Sequence, residues 1–528
     1  MAVPRPSPVG SVSLGDLALL IDGSDVVGSG STSVSGVTLD SRGVLPGDLY
    51  AALPGATTHG ARFAAQAAAS GAVAILTDAA GVELLGPTDL PLLVVEQPRA
   101  WLGAVARRVY ATGDLGLTLV GITGTNGKTT TAYLVNSALV ALGHTTGLIG
   151  TVETRIGSER LSSARTTPEM TELHALLAVM AQQGVDTCVM EVSSHALAQH
   201  RVDEVIFDLA LFTNLSQDHL DFHGDMESYF RTKATLFTAA RARRGLVCVD
   251  DTWGRRLADI SGIATRTLTT TDLDADWSVR RRGDDPASFR LTGPGEISLD
   301  LRSALPGDFN IVNTAMAAAA LIELGVEPQR AGVAILGDPH VPGRMERVRL
   351  DDDSHALPLI VVDYAHTPEA IRAALAALRP QTTGQLVCVT GAGGDRDRDK
   401  RWAMGAAAAE FADVVVVTDD NPRSEDPAAI RATVLQGARD VHNERNAVVV
   451  LEVGDRRAAI AEAVAVAAGL QPDLVSTGTG AQAVVVVVGK GHERGQEIAG
   501  DILPFDDRVE CERALVQVRD RVESGGGR

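Results

Sequence analysis

Aromatic residues make up only 4% of the 528 residues, so the interior has to be built from small aliphatic side chains instead of ring clusters. Cysteine is almost as scarce: Cys188, Cys248, Cys388 and Cys511 lie far apart and form no CxxC pair. That spacing argues against a disulfide framework and a zinc site, and it fits a reducing, cytoplasmic compartment. Long apolar runs are missing too. No stretch reaches the roughly 18 residues needed to span a bilayer. The opening MAVPRPSPVGSVS has no apolar core of the kind a secretory signal carries. Basic charge is outnumbered, 47 Lys and Arg against 67 Asp and Glu, which leaves a formal net charge of −20. A surface of that sign repels nucleic acid and anionic membranes, so a phosphorylated ligand has to be held by a local group of donors.

Composition is otherwise that of a folded protein, 45% hydrophobic and 22% charged. At about 100 to 200 residues per domain, the length predicts three domains. Strand-like runs alternate with Ala-rich helical stretches almost throughout, the pattern of α/β domains with parallel sheets. The first segment, to about residue 115, contains TLDSRGVLPGDLYAAL and GAVAILTD, short strands parted by Pro-Gly turns, and reads as a small α/β domain. The second, from about 116 to 346, opens with the apolar strand LTLVGIT, a glycine-rich turn and the helical AYLVNSALVALG. Its polar stretch from Thr267 to Pro286 reads as a peripheral insertion or edge hairpin. In the third, from about 347 to 528, four apolar strands each end in a polar loop: LPLIVVD then YAHTP, QLVCVT then GAGGDRDRDK, DVVVVT then DDNPR, and AVVVVV then GKGHE. In a doubly wound, Rossmann-like sheet ligands bind outside the carboxyl ends of the strands, so these loops are expected to converge on one site. The Pro/Ser-rich N-terminal arm and the tail SGGGR are expected to be flexible.

The turn GTNGKTTT carries the clearest chemistry. Gly124 and Gly127, with Thr125 and Asn126 between them, let the backbone expose N–H groups. Lys128 supplies a cation and the following helix adds its dipole, which together make a phosphate cradle. Thr129 is placed to ligand magnesium, and Thr130 follows it. The spacing departs from the common GxxxxGK[ST] loop, because position 122 is isoleucine. Glu191, in TCVMEVSSHALAQHRV, follows a strand, and an oxygen ligand there suits nucleotide-bound magnesium. FTNLSQDHLDFHG gathers Asp218, His219, Asp221 and His223 after another strand. Taken alone, His219 reads as readily as a hydrogen-bonded core histidine, and Ser41 of TLDSR as a turn hydroxyl.

GTNGKTTT, EVSSHALAQHRV, TNLSQDHLDFHGDMESY with Lys233 beyond it, GDFNIVN, VPGRMERV, VVDYAHTPEA, GGDRDRDKR, TDDNPRSEDP and GKGHERGQ stand in this order. The chain thereby resembles the Mur ligases of bacterial cell-wall synthesis, in particular UDP-N-acetylmuramoyl-tripeptide synthetases, from TLDSR to near its C-terminus. The resemblance implies three α/β domains: a small one holding the uridine nucleotide, a central parallel-sheet ATPase, and a C-terminal one that brings the incoming amino acid. It implies ATP and Mg2+ as cofactors, UDP-N-acetylmuramoyl-dipeptide and meso-diaminopimelate as substrates, and an acyl-phosphate intermediate.

Residue by residue, the resemblance places uridine against Leu39, Ser41, Thr57 and Thr58, and the muramoyl-peptide against Thr166, Thr167, Ser193, Gln199 and Arg201. ATP would meet the cradle from Gly124 to Thr130, Asn310 and Asn313 through its base, Arg344 through its phosphates and Asp363 through ribose. Lys233 lies in the helical YFRTKATLF, where a lysine is ordinarily a solvated surface residue. The family carries a carbamylated lysine at the matching position. Thr129, Glu191, His219 and that carbamate would then hold magnesium. Arg396 would bind the amino acid's carboxylate, with Asp420, Asn421, Gly489 and Glu493 on its amino groups. Pro422 and Arg423 complete DNPR, which resembles the form that accepts meso-diaminopimelate, whereas lysine-adding relatives usually depart from the arginine. A guanidinium can hold the second carboxylate of diaminopimelate bidentately, and lysine has none to offer. The plainer reading of Arg423 is a surface arginine paired with Glu425 or Asp426.

Three other functions remain open on the sequence. A lysine-adding ligase of the same family differs only at the amino-acid site. A folylpolyglutamate synthetase shares the ATPase pattern but requires neither TLDSR nor DNPR. A P-loop kinase or nucleotide switch would hydrolyse ATP with no dependence on an amino acid.

Overall fold

The computed structural model describes residues 3–7, 10–55, 57–350, 357–445, 448–471 and 482–525. Three β-sheets, each flanked by helices, follow one another along the chain as three α/β domains. The first sheet runs Asp25–Val27, Leu92–Val94, Ala74–Thr77, Asp48–Ala51, Gly36–Thr38, and all neighbours after the first pair are parallel. Helix Pro98–Val109 packs Leu102, Val105 and Ala106 onto it. Met170, Ala175 and Ala178 of helix Met170–Gln182 enter the same core, so the first two domains share buried surface.

The N-terminal arm departs from the flexible segment expected. Arg5 donates to Val37 O at 3.0 Å, bonds Tyr110 and pairs with Asp48 at 3.2 Å. Ser7 exchanges two 2.9 Å bonds with the side chain of Gln182. The cause lies in the edge strand Gly36–Thr38, whose Val37 carbonyl faces outward, and in the neighbouring Asp48, a buried carboxylate in need of a cation. Of the SGGGR tail, residues 526–528 lie outside the described residues.

The central sheet has eleven strands. Seven are parallel, in the order Thr146–Ile149, Thr187–Glu191, Thr118–Thr123, Leu209–Phe212, Arg244–Cys248, Ala264–Thr269, Trp277–Arg281. An antiparallel hairpin, Glu153–Ile156 with Glu159–Ser162, extends one edge, and Ser288–Gly293 with Ile297–Arg302 extends the other. The Thr267 to Pro286 stretch therefore lies towards an edge, as expected, but it is no peripheral appendage. Trp277, Val279, Phe289, Leu291, Leu299 and Leu301 alternate inward and join the core against the Ala-rich helix Asp308–Glu323.

The third sheet runs Glu346–Val348, Leu359–Asp363, Val484–Val488, Leu386–Thr390, Val414–Val417, Val449–Glu452, and only the first pair is antiparallel. Its valine-rich central strands are buried on both faces, as a helix-covered parallel sheet requires. The four strands whose loops were singled out are adjacent, so all four loops emerge on one edge. No helix among the described residues is long and apolar enough to cross a membrane.

Candidate active site

Parallel register sets the first elements of the site. Glu191 is opposite Ile122, and Phe212 is opposite Thr123, so the loops after three neighbouring strands leave the sheet together. The GTNGKT turn needs its glycines. Gly127 has φ +87°, and a Cβ there would collide with Asn313 Oδ1, while one on Gly124 would strike Thr213 Oγ1. Helix Lys128–Ala141 starts immediately afterwards. Asn214 steadies the turn by accepting from Asn126 N at 3.0 Å, and Thr213 Oγ1 donates to Asn126 O at 2.6 Å. Thr125 bonds Tyr229 at 3.2 Å, and Thr130 is buried behind the turn.

Two lysines meet at this turn. Lys128 Nζ donates to Gly124 O at 3.0 Å and to Thr125 O at 2.8 Å, and Lys233 Nζ donates to the same Gly124 O at 2.8 Å. Lys233 is 1% exposed, contrary to the solvated lysine that its helix alone suggests. Its amine lies over the ring of Tyr229, 4.7 Å from the centroid. Burial and then the neighbouring Lys128 ammonium hold it well below the usual lysine range, which favours the neutral amine.

Glu191 is buried and accepts from Thr129 Oγ1 at 2.9 Å, Thr151 N at 2.8 Å and Thr151 Oγ1 at 3.1 Å. All three donors are uncharged. A buried carboxylate beside a threonine hydroxyl is an oxygen donor pair suited to magnesium. His219 lies edge-on to His195 at 4.8 Å, with Nε2 3.5 Å from Asp218 Oδ2, near enough to Lys128 and Lys233 to feel both charges. Burial pulls its pKa down to about 4, so the imidazole is neutral at physiological pH. Among the described residues no three His, Cys, Asp or Glu side chains form a metal cage. Thr129 and Glu191 are the paired oxygen donors that the site presents.

Arg344 Nη2 reaches Thr129 Oγ1 at 3.2 Å, and its guanidinium stacks 4.3 Å from the Tyr364 ring centroid. Its Nε is buried without a hydrogen-bond partner, a donor aimed at an anion. Asn310 and Asn313 sit on the helix behind the cradle, joined at 3.1 Å. Asp363 accepts from Met345 N at 2.7 Å and Ala365 N at 2.8 Å, which leaves each oxygen a further lone pair.

The residues that the resemblance assigns to the muramoyl-peptide form one continuous network. Thr166 bonds Thr151 at 3.0 Å, Thr167 Oγ1 donates to Glu191 O at 2.9 Å, and Ser193 N donates to Thr167 Oγ1 at 3.1 Å. Arg201 donates to Gln199 Oε1 at 2.6 Å and to Thr167 O at 3.3 Å, and pairs with Glu169 at 3.0 Å. The uridine residues are less unified. Exposed Thr57 and Thr58 line a cavity of about 550 Å³ with His59, Arg62 and Leu84. Leu39 packs against the first core, and Ser41 donates to Gln66 Oε1 at 3.0 Å; neither lines that cavity.

The amino-acid residues gather at the edge of the third sheet. A Cβ on Gly489 would collide with Asp420 Oδ2, and Asn421 Nδ2 donates to Glu493 Oε2 at 2.9 Å. Arg396 is exposed on the GGDRD loop and close enough to help depress the pKa of His195, after burial. Pro422 packs its carbonyl on Gly394. Arg423 does not pair with Glu425 or Asp426. It donates to Glu497 Oε2 at 3.1 Å and to Gly394 O at 2.7 Å, while Arg401 holds Glu425 at 2.8 Å. The third sheet also closes on the cradle: Tyr364 stacks on Arg344, His366 lies 4.0 Å from Asp218, and Gly343 packs on the backbone of Gly491 and His492. Thr151, Thr213, Asn214, Tyr229 and His366 were not singled out by sequence. Each follows a strand or lies on a helix facing the turn, but only long-range contact reveals the role.

Comparison with known proteins agrees along the whole chain. Residues 33–110 match the Mur ligase family catalytic domain, residues 122–321 the Mur ligase middle domain, and residues 343–491 the Mur ligase glutamate ligase domain. A Streptomyces avermitilis protein named UDP-N-acetylmuramoyl-L-alanyl-D-glutamate--2,6-diaminopimelate ligase is 49% identical over 520 residues, 98% of this chain and 99% of its own. A Streptomyces coelicolor protein of the same name is 50% identical, covering 97% and 98%. A solved structure of a diaminopimelate ligase so named is 30% identical and aligns with TM-score 0.64 over 97% of this chain and 100% of its own. The chain belongs to the Mur ligase family.

Proposed function

We propose that this chain is an ATP-dependent ligase that joins meso-diaminopimelate to the D-glutamate of UDP-N-acetylmuramoyl-L-alanyl-D-glutamate in cytoplasmic peptidoglycan synthesis. The observation that carries the reading is that loops of the third sheet adjoin the GTNGKT cradle: Arg344 reaches Thr129 and stacks on Tyr364, and His366 lies 4.0 Å from Asp218. On this reading the domain to about residue 115 holds uridine, residues 116–346 form the ATPase, and residues 347–528 bring the amino acid.

The chemistry follows from charge. A γ-carboxylate oxygen of D-glutamate attacks the terminal phosphorus of ATP, ADP leaves, and an acyl phosphate remains. The amine of diaminopimelate then attacks the acyl carbon, and inorganic phosphate departs as the amide forms. Two anions must meet in the first step, so Lys128 and Arg344 neutralise phosphate charge while the cradle N–H groups fix its position. Thr129, Glu191 and a carbamylated Lys233 would hold magnesium, which supplies further charge neutralisation. Arg201 and the Thr166–Thr167–Ser193 network orient the muramoyl-peptide.

The deciding measurement is ADP release with purified enzyme and UDP-muramoyl-dipeptide. The reading requires release to depend on meso-diaminopimelate; release without any amino acid would favour a kinase or switch and sink it. Arg423→Ala is expected to cut the preference for meso-diaminopimelate over L-lysine about 10²-fold, the worth of a lost charge-assisted bidentate contact. A competition assay with both amino acids reads this directly, and an unchanged ratio refutes the role.

A further inference from the structure

Strand Val484–Val488 ends at Gly489, and the next side chain, Lys490, is 0% exposed. It reaches past the neighbouring strand Leu386–Thr390 to the loop after Val414–Val417. Its Nζ donates to Asn421 Oδ1 at 2.9 Å and to Glu493 Oε2 at 3.0 Å. Asn421 Oδ1 accepts a second bond from Glu497 N at 2.9 Å, while Asn421 Nδ2 donates to Glu493 Oε2 at 2.9 Å. Two donors fill both lone pairs of Oδ1 and fix the amide, because a flipped amide would turn its NH2 against an ammonium and an N–H. Glu493 is polarised in the same way: Oε2 accepts twice, and Oε1 has no partner among the described residues.

We infer that Lys490 is a positioning residue for the incoming amino acid, holding Asn421 as a donor and leaving Glu493 Oε1 free as an acceptor. The inference rests on the ligase reading above. Asn421 keeps one amide hydrogen and no free lone pair on Oδ1, so it meets a carboxylate and not the amino group expected of it. Glu493 Oε1 takes the ammonium. Asn421 and Arg423, two residues apart in DNPR, thus converge on acidic groups, and Lys490 is what stops the amide from presenting its oxygen instead. The two acceptors, Asn421 Oδ1 and Glu493 Oε2, offset the hydration that the buried Nζ gives up.

Steady-state kinetics on the full chain, varying each of the three substrates, test the assignment. Lys490→Met is expected to raise KM for meso-diaminopimelate at least tenfold, with KM for ATP and for the uridine substrate within twofold. Lys490→Gln, which keeps an amide donor, should recover part of that loss. A selective rise supports positioning. Three unchanged KM values, or three that rise together, overturn it. If Lys490→Met does not fold, Asn421→Asp serves as the second variant: it keeps an oxygen on Lys490 and replaces the donor by a carboxylate oxygen. A tenfold rise confined to the amino-acid KM is again expected, and no rise overturns the inference. Failure of the native chain to couple ADP release to diaminopimelate would instead remove the ligase reading itself.

Discussion

Replacing Lys128 with alanine is expected to lower kcat by about 10³-fold or more while leaving affinity for the uridine substrate unchanged. The ammonium sits between two carbonyls of its own turn, at 3.0 Å and 2.8 Å, and Glu191 and Asp218 lie near enough to raise its pKa against the larger effect of burial. It is therefore fixed at the start of helix Lys128–Ala141, where backbone N–H groups already favour an anion. Charge that builds between a carboxylate and a phosphoryl group is stabilised by a cation placed in advance, and alanine leaves only the backbone to do it. Leu39, Ser41, Thr57 and Thr58, the residues proposed for uridine, lie in the loops of the first domain and should not feel the change. Single-turnover ligation paired with binding of the uridine substrate separates the two effects. Undiminished ligation in the variant would sink the assignment of the cradle.

Lys233→Ala should lose activity by about 10³-fold and regain part of it when formate or acetate is added. Two lysines donate to one carbonyl, Gly124 O, and burial followed by the charge of Lys128 lowers the pKa of Lys233. A neutral amine is the form to which CO2 adds, and the product is an anion where an ammonium would repel Lys128. A carbamate there would add an oxygen ligand to those of Thr129 and Glu191. A small carboxylate diffusing into the space left by alanine offers the same oxygen, which an ordinary structural lysine would not permit. Full activity of the variant without any additive refutes the role.

Much of this was readable from sequence because it is local. The valine runs of the third sheet announce buried parallel strands, and the loops after them were expected to converge, as the strand order requires. The glycine turn was equally plain, since its φ and close contacts admit little else. What sequence could not supply is contact between distant elements. The plainer reading of Arg423 pairs it with its near neighbours Glu425 or Asp426, yet its partner in the fold is Glu497, 74 positions away on the hairpin Gly495–Ile498 with Asp501–Pro504. The helix of Lys233 looks solvent-facing in one dimension, and only the approach of the Gly124 turn and Tyr229 buries its lysine. Arg5 was read as part of a loose arm because the outward carbonyl of Val37 and the buried Asp48 are invisible until the edge strand is in place.

Residues 344 and 345 link the cradle of the central sheet to the third sheet. Arg344 touches Thr129 on one side and Tyr364 on the other, and Met345 N is held by Asp363 at 2.7 Å. A rotation that draws the third sheet away must break one of these contacts, so a ligand that favours the joined arrangement at the cradle is expected to favour it at the amino-acid loops as well. Reciprocity follows: by whatever factor a non-hydrolysable ATP analogue tightens diaminopimelate, diaminopimelate must tighten the analogue by the same factor. Loosening that joint, for example with Arg344→Ala, would leave two sites that bind without informing each other.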